Sequence, residues 1–467
     1  MRIKPHYQKH PDPELNGNPL AEALQPILCP NEVRRLIDFS PKFADDFHTL
    51  SRIYQNLNIR RIAEIFVAPT ISTLLYDKLF ELILDGYRYR NPLTVKMTRF
   101  LYELASRGEL IGGDDDNKIY EVVPPGMTTA PGSIFSGPTG TGKTSVIRAV
   151  LGIIPQVISH SAYGSIPSFQ QDQIVWISFD APATPSPKAL CLNFMKAVDQ
   201  ALGIERYFTE FSRRSDNTSV DLHILKVQEV AANHFIGIVH FDEMQFFLKY
   251  AKIKNSPNLQ ILEAMFNKLG IPIIISTTDE GLPLISADPQ TKRRMLSEQH
   301  FKLKPLKYNT PAFKDFINAI FLRQIWGVDD VLNTQSEFIK KFYELSAGLQ
   351  AVMIRLSRLH LYYSIQKGGT PFDAQLLEQV FDSQFHYMKG SLAALRVGDF
   401  DSFEKKIPKN PDGSVAWSDE AMDSTKESGD VGEEKATTST QSQKKNTSKS
   451  PAKPVQAFHN PALIGGV

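Results

Sequence analysis

The apolar positions fall into three regimes along the chain. From about residue 31 to 110 they recur at helical spacing, through NEVRRLIDF, DDFHTLSRIYQNL, APTISTLLYDKLFELILDGY and TVKMTRFLYELASRG. Apolar residues at i, i+3, i+4 and i+7 line one helix face, so this stretch predicts a small helical domain. Between about 120 and 308 short apolar runs alternate with longer amphipathic ones. GSIFS, QVISH, IVWISFD, FIGIVHFDE and IPIIIST predict strands, and TSVIRAVLGII, KALCLNFMKAVDQALG, VDLHILKVQEVAANH and NLQILEAMFNKLG predict helices. That alternation is the signature of an α/β fold, a parallel sheet wrapped by helices. From about 310 to 395 helical spacing returns in TPAFKDFINAIFLRQI, QSEFIKKFYELSAG, LQAVMIRLSRLHLYYSIQKG and PFDAQLLEQVFDSQF, which predicts a helical lid behind the sheet.

The remaining segments lack periodicity. Residues 1–30 are rich in Pro, Asn and polar side chains and read as an arm that gains order only by packing on something else. GGDDDNK, Gly112 to Lys118, is an acidic, turn-rich linker. After about 403 an acidic stretch gives way to TTSTQSQKKNTSKSPAKP, a composition that cannot bury enough apolar surface to fold. The expected plan is therefore an arm (1–30), a helical domain (31–118), an α/β nucleotide-binding domain (119–308), a helical lid (309–402) and a disordered tail (403–467). The tail ends in VQAFHNPALIGGV, an apolar stretch that is either inert or a docking segment.

Composition narrows the class. Hydrophobic residues make up 42% and charged ones 22%, which confines disorder to local segments. The net charge of +1 excludes a protein that holds nucleic acid by global charge, so any such surface is local. Two distant cysteines, Cys29 and Cys191, and histidines without ligand spacing argue against disulfides and zinc. No signal peptide precedes the first helices and no run of about 18 apolar residues occurs, so a reducing cytoplasmic compartment and no membrane partner are expected. Arg88, Arg90, Lys96 and Arg99 form a basic cluster around Asn91-Pro92, read either as solvated helix surface or as a phosphate or protein contact.

The chemistry sits in GPTGTGKT, comprising Gly137, Pro138, Thr139, Gly140, Thr141, Gly142, Lys143 and Thr144. A glycine-rich turn between strand and helix aims backbone N–H groups at phosphates; Lys143 reaches the β- and γ-phosphates and the Thr144 hydroxyl ligates Mg²⁺. The strand IGIVHF ends in Asp242 and Glu243. Asp242 is expected in the Mg²⁺ shell and Glu243 as the base that activates water, so the cofactors are ATP and Mg²⁺. IPIIIST places Ser276, Thr277 and Thr278 at a similar edge, and Thr277 is the favoured hydroxyl for positioning that water. These motifs together define an ATP hydrolase of the AAA+ class.

With Arg293 and Arg294 following in DPQTKRRML, the chain resembles the TnsC-type (TniB) AAA+ regulators of bacterial transposons with heteromeric transposases. The resemblance spans roughly residues 15 to 395 and includes NPLAEALQP, DGYRYRNP, CLNFMKAVDQALG, HFDEMQFF and YELSAGLQAVMIRL. It implies a homo-oligomeric ring or spiral on double-stranded DNA that links a target selector of TniQ/TnsD type to a TnsA/TnsB transposase, with ATP hydrolysis driving disassembly. It also implies that Arg293 or Arg294 reaches a neighbour's γ-phosphate. Many AAA+ lids carry a sensor arginine three residues after a glycine; here Gly348 is followed by Leu349, Gln350 and Ala351, and Arg355 is the next basic residue. DNA contacts fall to two candidate patches, Arg206, Arg213 and Arg214, and Lys249, Lys252 and Lys254, directed at the backbone rather than at bases. A helicase loader or initiator shares every nucleotide motif, and an adaptor or signalling ATPase is a further alternative.

Overall fold

Three strands with every residue buried form the centre of the molecule: β2 (Gly132–Ser136), β6 (Ile238–Asp242) and β7 (Ile273–Thr277). Burial on both faces is what an uninterrupted apolar run specifies. The computed structural model describes residues 2–107, 131–182, 186–214, 219–245, 265, 269–282, 297–398 and 403. Besides the central three, its strands are β1 (Arg2–Ile3), β3 (Val157–His160), β4 (Gln171–Ile174), β5 (Trp176–Asp180) and β8 (His300–Lys302). The main sheet has the order β5-β6-β7-β2-β8 and every pairing in it is parallel. Its register matches Asp180 with Asp242 and Ser136 with Thr277, so the strands end level at one edge. The fold is that of an AAA+ P-loop NTPase, a parallel sheet flanked by helices with a helical C-terminal region.

The run IVWISFD, expected as one strand, is two. Ile174 closes β4, Trp176 opens β5, and the Val175 N–H bonds to the Gln156 carbonyl at 2.8 Å. β4 pairs antiparallel with β3, which itself lies outside the parallel sheet where QVISH was expected. An apolar run fixes burial but not the identity of its neighbour strand, and here one run feeds two sheets. The N-terminal arm completes the smaller sheet: β1 pairs parallel with β3, Arg2 Nε donates to Ser159 Oγ at 2.8 Å, and Arg2 is ion-paired with Asp172. Tyr163 donates to a Glu22 carboxylate oxygen at 2.7 Å, so the arm is ordered by packing on the β3–β4 unit.

Among the described residues five α-helices precede the main sheet: α1 (Pro19–Glu22), α2 (Pro30–Ile37), α3 (Arg52–Arg61), α4 (Ile71–Arg88) and α5 (Val95–Arg107). They do not share one core. Val33 and Ile37 of α2, Leu75 to Tyr87 of α4, and Met97, Phe100 and Leu104 of α5 pack in the cluster that holds the sheet. Ile59 of α3 and the following Ile62 and Ile65 instead join the lid cluster with Phe313, Trp326 and Leu356. Around the sheet lie α6 (Lys143–Gly152), α7 (Pro187–Leu202), α8 (Tyr207–Arg214) and α9 (Val220–Asn233). α7 has the signals its sequence carries: Ser186 caps the Ala189 N–H, Pro187 begins the first turn, and Gly203 closes it in the left-handed region. The lid comprises α10 (Pro311–Ile320), α11 (Arg323–Trp326), α12 (Val331–Thr334), α13 (Ser336–Ser346), α14 (Gln350–Lys367), α15 (Ala374–Gln384) and α16 (Lys389–Arg396). The expected helix NLQILEAMFNKLG lies almost wholly outside the described residues, as does the tail beyond Phe403. Among the described residues no helix is long and apolar enough to cross a membrane.

The basic cluster at Asn91-Pro92 has a structural centre. Arg90 is buried, with Nε donating to the Gly86 carbonyl at 2.7 Å, Nη1 to that of Ile236 at 2.5 Å and Nη2 to that of Gly237 at 3.5 Å. Burial pulls its pKa down to about 10. A Cβ at Gly86 would lie 2.6 Å from Arg90 Nη2, which explains the glycine in DGYRYRNP. Tyr87 donates to the Phe235 carbonyl at 3.1 Å, and Asn18 Nδ2 to the Tyr87 carbonyl at 2.7 Å. Arm, α4 and the entry to β6 are thereby fastened together. Arg88 is instead partly exposed, in ion pairs with Glu14 at 3.1 Å and Asp85 at 3.4 Å.

Two outcomes follow from these environments. Arg90→Ala removes the donors from buried carbonyls and is expected to lower the urea-unfolding free energy by about 2–4 kcal/mol, while Arg88→Ala costs under about 1 kcal/mol. Equal losses in the two variants contradict the assignment. His160, His234 and His360 are held by burial below the ordinary imidazole value of about 6.5. The folded chain thus binds fewer protons than the unfolded one, so their contribution is present above about pH 6.5 and lost as pH falls below it. A thermal-unfolding series should show Tm declining from about pH 6.5 downward, and a flat profile to pH 5 refutes it.

Candidate nucleotide site

The phosphate loop runs from the end of β2 to the start of α6. Gly137, Gly140 and Gly142 have φ of +155°, +86° and +88°, a region that strongly favours glycine. At Gly137 the approach is also close, since a Cβ there would sit 2.2 Å from the Leu303 carbonyl oxygen. Gly142 starts α6 without a side-chain cap, so the first-turn N–H groups remain available to an anion. Pro138 is buried and Thr139 exposed at the tip. The Pro138 carbonyl gathers three donors: Thr141 Oγ1 at 2.8 Å, Lys143 Nζ at 3.1 Å and the Thr141 N–H at 3.4 Å. Lys143 Nζ also donates to the Gly137 carbonyl at 2.8 Å. A phosphate entering the loop competes for the same lysine and amide, and its charge makes it the stronger acceptor.

Asp242, at the end of β6, is 2% exposed and accepts the Glu243 N–H on Oδ1 at 3.0 Å. Its Oδ2 is buried without a hydrogen-bond partner, and Arg148 Nη2 of α6 lies 3.5 Å from it. The same guanidinium is 2.8 Å from Asp180 Oδ1 at the end of β5. Arg148 and Asp180 were not among the candidate residues. Their signal is an acid at the end of a strand in register with β6, and a basic residue on the helix after the phosphate loop.

Glu243 adopts φ +55°, a conformation that costs a non-glycine residue about 1–3 kcal/mol and that concentrates at active sites. Its carboxylate accepts from Gln245 Nε2. The three hydroxyls at the end of β7 are sorted by their partners. Ser276 Oγ is 2.7 Å from His240 Nε2, and His240 Nδ1 is 2.8 Å from Ser178 Oγ, a polar chain across β5, β6 and β7. Burial pushes His240 down to about 4, so this bridge is a neutral imidazole at physiological pH. The Thr277 and Thr278 hydroxyls are buried and have no hydrogen-bond partner. Next to them, Asp279 pairs with Lys302 at 3.0 Å and accepts from Ser136 Oγ at 3.3 Å.

The oxygen donors fit Mg²⁺. A hard, reluctantly dehydrated cation is held by one or two protein oxygens together with phosphates, and the buried Asp242 Oδ2 without a hydrogen-bond donor is such an oxygen, with the Thr144 hydroxyl at the start of α6 as the second. The other candidates are spread out. Arg355 lies over the Phe385 ring at 4.8 Å and donates to the Tyr387 hydroxyl, within the lid. Arg206 is exposed, with Nε 3.3 Å from Glu210, and Arg213 is exposed on α8, which Arg214 ends. Arg293, Arg294, Lys249, Lys252 and Lys254 lie outside the described residues.

The chain carries an AAA-type P-loop ATPase domain: residues 128–285 match the family model described as "AAA domain". Among solved structures, a Walker-type ATPase of Pyrococcus abyssi is similar at 14% identity and a TM-score of 0.36, covering 62% of this chain and 77% of its own. Drosophila ORC bound to DNA aligns at 11% identity and 0.36, over 78% and 72%. The Aeropyrum pernix ORC1 protein in complex with DNA aligns at 16% and 0.36, over 63% and 67%. Similarity at this level carries no inference about activity or partners. No curated protein matches the chain.

The sorting of hydroxyls gives a direct test. Thr277→Val removes an oxygen that bonds to nothing in the protein, so stability should hold within about 0.5 kcal/mol while ATP turnover falls about tenfold or more. Unchanged turnover in the folded variant removes Thr277 from the site.

Proposed function

We propose that this chain is an ATP-dependent regulator of DNA transposition, assembling as a homo-oligomer on double-stranded DNA and joining a target selector to a heteromeric transposase. The supporting observation is that the segments carrying the resemblance are physically joined around the ATPase core. Asn18 of NPLAEALQP bonds to Tyr87 of DGYRYRNP, whose Arg90 holds the entry to the strand that ends in Asp242 and Glu243. A helical unit fastened to β6 can follow the nucleotide state.

In this reading Lys143 and the loop amides bind the triphosphate, Thr144 and Asp242 hold Mg²⁺, and Glu243 deprotonates the attacking water while Thr277 positions it. Bound Mg²⁺ neutralises charge on the β- and γ-phosphate oxygens. Arg293 or Arg294 supplies a positive charge across a subunit boundary. Arg206, Arg213 and Arg214, or Lys249, Lys252 and Lys254, contact DNA phosphates without reading bases. Hydrolysis discharges the assembly, so the ATP state acts as a timer.

Glu243→Gln should retain ATP binding, lower turnover by about 10²- to 10⁴-fold and hold the oligomer on duplex DNA. Lys143→Ala should lose nucleotide binding and assembly. Electron microscopy with duplex DNA and a slowly hydrolysed ATP analogue provides the readout: nucleotide-dependent rings or filaments on DNA are expected. Nucleotide-bound monomers that ignore DNA would overturn the transposition reading.

A further inference from the structure

The phosphate loop is closed into a ring of backbone hydrogen bonds that passes through the lid. The Leu303 N–H donates to the Ser136 carbonyl at 2.8 Å, fixing the start of the loop to the segment after β8. Three residues on, the Leu306 N–H donates to the Gly348 carbonyl at 2.9 Å, tying that segment to the turn before α14. The circuit closes where the Ala351 N–H, in the first turn of α14, donates to the Gly140 carbonyl at 3.1 Å. Two glycines make the approach feasible. A Cβ at Gly348 would meet the Leu306 carbonyl at 2.0 Å, and one at Gly140 would press on Ala351 Cβ and Leu349 Cδ2 at 3.3 Å.

This contact stands where other lids place an arginine, and the nearby Arg355 is turned onto Tyr387 and Phe385. A peptide group is planar, so a Gly140 carbonyl held outward by the lid turns the Thr141 N–H the opposite way, toward the interior of the loop. We propose that Ala351 is a positioning residue of the ATPase: its amide sets the Gly140–Thr141 peptide, and through that bond the lid follows the state of the phosphate loop. The inference rests on GPTGTGKT being the nucleotide site. The coupling element is a backbone donor, which binds no ligand itself and discriminates nucleotides only through the peptide it holds.

Two proline substitutions separate the donor from its surroundings. Ala351→Pro deletes the amide at the second helical position, where proline is tolerated. Gln350→Pro stiffens the same turn but keeps that amide, and Leu349 before it is extended, as a residue preceding proline prefers. Release of a fluorescent ADP is followed by stopped flow, with hydrogen exchange in α14 measured with and without ADP and with circular dichroism and Tm verifying folding. Ala351→Pro is expected to speed ADP release about tenfold and abolish the ADP-dependent change in α14 exchange, with Gln350→Pro behaving as the unsubstituted chain. ADP bound normally but released at the same rate from both folded variants, or α14 exchange indifferent to ADP in the unsubstituted chain, overturns the inference and leaves the nucleotide site intact. Failure of the unsubstituted chain to bind ADP overturns both. If Ala351→Pro does not fold, hydrogen exchange in α14 of the unsubstituted chain decides: protection that changes when ADP binds is expected, and exchange indifferent to ADP overturns the inference.

Discussion

Parallel strands that end level with one another are the constraint on which the rest of the molecule depends. Register sets Asp180 beside Asp242 and Ser136 beside Thr277, and each strand delivers its last polar residue to the same edge. A parallel pair cannot be joined by a tight turn, so helices must cross between strands, and the loops that lead into them open at that edge. The phosphate loop is one such connection, and its glycines serve a geometry that the sheet has already imposed. A slip of one residue between β6 and β5 would turn Asp242 and its neighbour Asp180 to opposite faces and break the Arg148 bridge that spans them.

The distribution of unsatisfied polar atoms supports that picture. Folded proteins leave few buried polar groups without partners. Here Asp242 Oδ2 at the end of β6, the Thr277 hydroxyl at the end of β7, and Gln245 Oε1 and the Thr278 hydroxyl just beyond those ends are among them, and Gln350 begins the helix that reaches the phosphate loop with its Oε1 also unpaired. The Ser178–His240–Ser276 chain, one layer deeper, is fully paired. Other such atoms lie elsewhere, Ser133 Oγ within β2 and Ser72 Oγ on α4 among them, but the group at the sheet edge falls where function and strain are expected to override local rules of polar satisfaction.

Much of this was legible in the chain. GPTGTGKT, the acid pair after IGIVHF and the alternation of strands and helices are carried at short range, and GSIFS, FIGIVHFDE and IPIIIST each hold a strand of the parallel sheet as expected. What was not legible depends on long-range pairing. Nothing in QVISH or IVWISFD says that β3 and β4 leave the parallel sheet, because side-chain burial looks the same against either neighbour. Arg90 reads as solvated surface or as a phosphate or protein contact beside Asn91-Pro92, yet its partners Ile236 and Gly237 lie about 146 residues away and are carbonyls, which have no sequence signature. Backbone contacts such as that between Ala351 and Gly140 are equally silent, since any residue but proline can make them. Sequence can mark the missing lid arginine, but only coordinates reveal what occupies its place.

The division of the N-terminal helices between two cores has a consequence for how the chain is made. α3 and the residues after it emerge early, but the cluster that buries Ile59, Ile62 and Ile65 is built from residues 313 to 395. β8, the edge strand beside β2, likewise arrives some 160 residues after its partner. Contacts of such separation slow folding, and domains tend to acquire structure as synthesis proceeds from the N-terminus. During translation the apolar side of α3 therefore waits uncovered until residues 313 to 395 have left the ribosome. A chain of this design depends on escaping aggregation in that interval, and truncations that remove the lid expose a helix at the far end of the sequence.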